Sequence, residues 1–122
     1  NADIDFMKTK RANKIALKRL RIADKLLREG NKTLFYQELM KAIWNYLSDQ
    51  LTIPAAELNK ENIQTNMSMR EIGPTLIQKF SDILNECEFA SYAPGSGNAE
   101  MSNIYQESIE AISKLEEHFK KK

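Results

Sequence analysis

Between Leu34 and Leu47 the apolar residues do not form a stripe; they wrap. Leu34, Phe35, Tyr36, Leu39, Met40, Ala42, Ile43, Trp44, Tyr46 and Leu47 cover roughly 200° of arc at the angular step of an α-helix. A helix so widely apolar is stable in water only when several neighbours enclose it. The chain is therefore expected to build a multi-helix bundle around this segment, which Thr33 caps and which runs to about Leu51.

The neighbours can be read from the same periodicity. From about Phe6 to Glu29, Ala12, Ala16, Leu20, Ala23 and Leu27 fall on one arc, with Gly30 as the left-handed stop. This helix and the wide one form an αα-hairpin. Pro54 to Leu58 reads as one short helical turn, and Asn59 as the cap of a helix over about 60–70. Pro74 suits the first position of a helix that repeats Leu76, Ile77, Phe80, Ile83, Leu84 and Cys87. Tyr92 to Asn98 is rich in Gly, Pro and Ser and reads as a surface loop. A last helix, from about Ala99 to Lys121, uses Met101, Ile104, Tyr105, Ile112, Leu115 and Phe119. No strand-like alternation occurs, and 4 Gly and 3 Pro are too few for a turn-rich all-β fold. The expected fold is all-α: one compact domain over residues 1–122, a bundle of about five helices that begins with an αα-hairpin.

Charge is uneven. Residues 1–29 hold nine Lys/Arg and four acids, whereas the rest of the chain holds nine basic and thirteen acidic residues. On the first helix Lys10, Lys14, Lys18, Arg21, Lys25 and Arg28 share a narrow arc opposite the apolar one. Such a stripe suits nucleic-acid phosphate, an anionic membrane or an acidic protein, or is simply a solvated face. Arg19 lies off the stripe, at the phase of the apolar arc. A charge there needs a partner, and the expected one is Glu88, or Glu86, with Glu38 in reserve.

Chemistry is harder to find. There is no GxxxxGK[ST], GxGxxG, HExxH or CxxC pattern, so no catalytic, metal-binding or cofactor-binding residues and no small-molecule substrate are expected. His118 is the sole histidine and reads as solvated near a helix end. The sole cysteine, Cys87, lies on an apolar stripe and reads as a small buried hydrophobe. The pairs Glu86/Glu88 and Glu116/Glu117 point about 100° apart on a helix and read as solvated faces. Phe35, Tyr36, Trp44 and Tyr46 fall mostly on the core arc, so a stacking platform for nucleic acid is not expected.

Several strings stand together in a particular order: Ala12-Asn13-Lys14-Ile15-Ala16 with Lys18-Arg19-Leu20, Phe35-Tyr36-Gln37-Glu38, Ala42-Ile43-Trp44-Asn45-Tyr46-Leu47-Ser48-Asp49, Leu51-Thr52-Ile53-Pro54 with Glu57-Leu58, and Cys87-Glu88-Phe89-Ala90-Ser91-Tyr92-Ala93-Pro94. Over about residues 10–115 this resembles the C-terminal domain of the BatD family, the bacterial oxygen-tolerance or aerotolerance proteins. Residues 60–75 depart most, with Gly73-Pro74 where the family pattern leads one to expect an acidic helix start. The resemblance implies a soluble tail on the cytoplasmic side of the bacterial inner membrane, following a signal peptide, periplasmic β-sandwich-like domains and one membrane span. It also implies partners in a membrane complex, among them proteins with von Willebrand type A and tetratricopeptide domains. The stripe would then face anionic lipid weakly, and Phe89, Tyr92 and Pro94 would offer a patch to a protein partner. A free-standing helical module for a peptide or nucleic acid is the alternative reading, with a tetratricopeptide-like hairpin as its weaker variant.

Overall fold

The computed structural model describes the backbone of residues 2–90, 92 and 97–120, and the side chains of residues 10–90, 92 and 97–119. Among these residues the chain forms six α-helices and one 3₁₀ turn, and no strand. The helices are α1 (Ala2–Arg19), α2 (Arg21–Glu29), α3 (Lys32–Leu51), α4 (Lys60–Met69), α5 (Pro74–Ala90) and α6 (Asn98–Lys120), with the 3₁₀ turn at Ala55–Glu57.

The stretch expected as one helix over 6–29 is bent into α1 and α2 at Leu20 (φ −103°, ψ 18°). Neither proline nor glycine stands at the bend, and the hydrogen-bond ladder runs through it: Leu20 N–H donates to Ala16 O (3.0 Å) and Asp24 N–H to Leu20 O (2.9 Å). The bend coincides with a change of partner. α1 packs along α6, whereas α2 packs mainly on α3. Only α2 and α3 thus form the expected hairpin, and Leu20, wholly buried at the junction, anchors both halves. Gly30 (φ 70°) closes α2: its N–H donates to Leu27 O and the next, from Asn31, to Leu26 O. This is the paired arrangement that a left-handed residue permits.

Asn31, not Thr33, caps α3, its side chain accepting from Leu34 N–H at 3.4 Å. The cap lies two residues earlier because the turn at Gly30 delivers the chain directly into the helix. α3 buries Phe35, Tyr36, Leu39, Ile43, Tyr46, Leu47 and Leu51, and packs on α2, α5 and α6. Its wide apolar arc is enclosed as the sequence requires. Trp44 sits at the edge of this core, partly exposed.

Asn59 caps α4 reciprocally with Asn62, so two of the free N–H groups at that end are satisfied at once. Ile63 and Met67 go into the core. α5 adds Ile77, Phe80, Ile83, Leu84 and Cys87, and α6 adds Met101, Ile104, Ile112 and Leu115. Apart from Ala12, the buried apolar residues among those described form one cluster to which all six helices contribute. No helix of the described residues is long and apolar enough to cross a membrane.

Candidate interaction surfaces

Lys10, Lys14, Lys18, Arg21, Lys25 and Arg28 are all exposed on the outer side of α1 and α2. Ala12, Ala16, Leu20 and Ala23 of the same helices are buried, so the two arcs separate as their phase dictates. Arg28 is paired with Asp24 one turn away (3.0 Å). The other five make no ion pair among the described residues. Two apolar side chains of the same helices, Leu17 and Ile22, are also more than half exposed.

Arg19 does not meet Glu88. Its Nη2 lies 2.7 Å from Asp49 Oδ2, and its guanidinium carbon 5.5 Å from the centre of the Tyr46 ring. Glu88 pairs instead with Lys60, at the foot of α4. Glu86 points to a groove beside α6, and Glu38 only lines a shallow cavity next to Arg19 without pairing to it. The phase of Arg19 correctly implied an acidic partner, but α2 leads the chain onto α3 at this point, so α3 supplies it. The guanidinium is also less enclosed than expected, with 36% of the side chain exposed.

Behind Arg19 lies a polar cluster. Tyr46 Oη donates to Glu116 Oε1 (3.1 Å), with Ile112 O at 3.4 Å, and Gln50 Nε2 donates to the same carboxylate oxygen (3.3 Å). Glu116 is only 6% exposed; the expectation of a solvated face there is corrected. Burial, and then the charge of Glu116, push the Tyr46 phenol far above its ordinary range. It therefore acts as a fixed donor that holds α3 to α6, not as a proton carrier.

One more group departs from expectation in the same way. His118 is half-buried, its Nε2 3.2 Å from Arg70 O and its ring edge-on to Phe119. Arg70 in turn donates to Leu51 O (2.6 Å) and to Asn66 O (3.2 Å), tying the ends of α3 and α4 together. Cys87 is buried as expected, and burial, followed by the charge of Glu86, pushes its thiol up to about 12. A thiol held there is protonated and unreactive.

Phe89, in the last turn of α5, and Tyr92, just beyond it, are 75% and 86% exposed; Pro94 lies outside the described residues. Beside Phe89 a groove of about 310 Å³ opens between α5 and α6, lined by Tyr36, Ala90 and the carboxylates of Glu86, Glu100 and Glu107. Hydrogen bonds from its own backbone N–H and from Gly97 N–H (2.8 Å), at the start of α6, hold the Glu100 carboxyl below the usual range. Burial, and then the charge of Glu107, raise that of Glu86. Among the described residues no group of three or more His, Cys, Asp or Glu could hold a metal ion. Phe35 and Tyr36 are buried edge-to-face at 5.1 Å, and so present no face to a base.

In comparisons with protein-family models, curated proteins and solved structures, nothing matches the chain.

Proposed function

We propose that the chain is a non-catalytic interaction domain that lies at the cytoplasmic face of a bacterial inner membrane, as the tail of a BatD-like aerotolerance protein, and helps to assemble a membrane complex. The observation that carries this reading is the exposed basic face of α1 and α2. Five of its cations have no ion-pair partner among the described residues, while the opposite side of the same helices is spent on the core. A face built in this way adheres to anionic headgroups without inserting a helix. Each Lys or Arg contributes about 1 kcal/mol or less near the surface. The resemblance to the BatD family supports the placement, because cytoplasmic segments close to a membrane span are enriched in Lys and Arg. Partners of the complex, among them von Willebrand type A and tetratricopeptide proteins, belong to the same proposal. Burial of Phe35, Tyr36 and Tyr46 speaks against a single-stranded nucleic acid as the ligand, which is held by stacking on aromatic faces.

Sedimentation with phosphatidylglycerol vesicles tests the reading. Binding at low ionic strength that is lost at moderate salt is the expected result, with none to neutral phosphatidylcholine vesicles. Equal binding to both lipids, or none at low salt, overturns it.

A further inference from the structure

Leu17 and Ile22 are 52% and 55% exposed on α1 and α2, so most of neither side chain is spent on the core. At about 100° per residue the two flank the arc of cations, one on either side, while Ala12, Ala16, Leu20 and Ala23 hold the opposite, buried side. Lys14 and Arg21 stand one turn before and after Leu17, and Lys18 and Lys25 one turn before and after Ile22. None of these four cations has an ion-pair partner among the described residues. The hydrogen-bond ladder passes through the bend at Leu20, so the interleaving carries over from α1 to α2. Where the face turns toward α3, Ile22 also lines the shallow cavity shared with Arg19, Lys41 and Glu38.

We infer that Leu17 and Ile22 are lipid-contacting residues, which reach the boundary between headgroups and acyl chains when the cations are seated on anionic headgroups. The domain then responds to lipid packing as well as to charge. This rests on the reading of α1 and α2 as the membrane-facing side, and names what that side recognises beyond charge. Lys and Arg lay their stems along apolar surface while their heads stay polar, so a Leu or Ile one turn away is held at the depth where headgroups meet chains. Apolar surface gains there in proportion to the area it removes from water, and such contacts vary with curvature and lipid composition. Two partly covered aliphatic side chains offer less than the single myristoyl chain whose hold is itself marginal. They add to an electrostatic attachment and do not replace it, so salt still releases the domain.

Sedimentation at low ionic strength with two vesicles of one headgroup, fluid dioleoyl-phosphatidylglycerol and gel-phase dipalmitoyl-phosphatidylglycerol, tests the inference. The gel packs its charges more densely, so attachment by charge alone is equal or tighter there. The chain is expected to bind the fluid vesicles about fivefold more tightly. Leu17→Ser/Ile22→Ser should lose that preference and keep salt-sensitive binding to both lipids. Met69→Ser, which removes a still more exposed apolar side chain from α4, should leave the preference in place. Equal binding of the unaltered chain to the two lipids, or tighter binding to the gel, overturns the inference and leaves the electrostatic reading standing. Binding to neither overturns both. A preference that persists in the double variant overturns the assignment to Leu17 and Ile22. Equal affinity for soluble poly-aspartate, with the same loss in the double variant, would make the face a site for an acidic protein and also overturn it.

Discussion

Tyr46 shows how much of this molecule hangs on single polar atoms. Its ring belongs to the core of α3 and its hydroxyl anchors the buried carboxylate of Glu116. Removing only that oxygen, in Tyr46→Phe, leaves a buried carboxylate short of a donor and is expected to cost about 1–3 kcal/mol in chemical denaturation. Arg19→Ala removes an ion pair that is more than a third exposed, together with a cation over the Tyr46 ring. About 1 kcal/mol is expected there, so that Arg19→Ala costs less than Tyr46→Phe; the reverse order would refute the structural assignment of Arg19. Backbone strain gives an opposite sign. Thr52, a β-branched and exposed residue, closes α3 at φ 57°, where a side chain costs about 1 kcal/mol or more. Thr52→Gly should therefore raise the melting temperature, and Gly30→Ala, at φ 70°, should lower it. Of these residues, the sequence disclosed Gly30 and the need of Arg19 for an acid. It hid Glu116, because a carboxylate on a charged tail reads as solvated until the helix that covers it is placed.

At the scale of elements, most caps and breakers were legible because their chemistry is local, whereas the cap of α3, expected at Thr33, lies at Asn31. Asn59, Pro74 and Gly30 act on hydrogen bonds within a few residues, and each stands where its type implies. The bend at Leu20 was not legible, because the ladder passes through it intact and no local residue type forces it; it follows from α6 and α3 competing for one amphipathic stretch. The contact of α5 with α6 carries a pH dependence. Burial and Glu107 raise the Glu86 carboxyl above its ordinary 4.5 in the folded chain. The folded state thus holds that proton more tightly than the unfolded state does, and stability falls as pH rises through the folded value. Glu86→Gln, which mimics the protonated form, should melt slightly higher than the parent at pH 7. The difference should close as the pH is brought below 4.5. A difference that widens in acid would mean that Glu86 is stabilised as an anion, against the environment described.

For the whole molecule, the enclosure of α3 was legible from its wide apolar arc alone, and the six-helix bundle follows from it. Which helices become neighbours was not, since phase names the side that must be covered and not what covers it. The same division of labour supports the functional proposal. One side of α1 and α2 is committed to the core and the other to exposed cations, so the domain is suited to lie on an anionic surface without unfolding. Paramagnetic mapping tests this most directly: the ¹⁵N-labelled chain is added to phosphatidylglycerol nanodiscs carrying a spin label at the headgroup, at low ionic strength. Amide broadening centred on residues 10–28, reversible by salt and lost in Lys14→Glu/Lys18→Glu/Lys25→Glu, is the expected result. Broadening centred on α5 and α6, or none while the neutral-lipid control behaves identically, would contradict it.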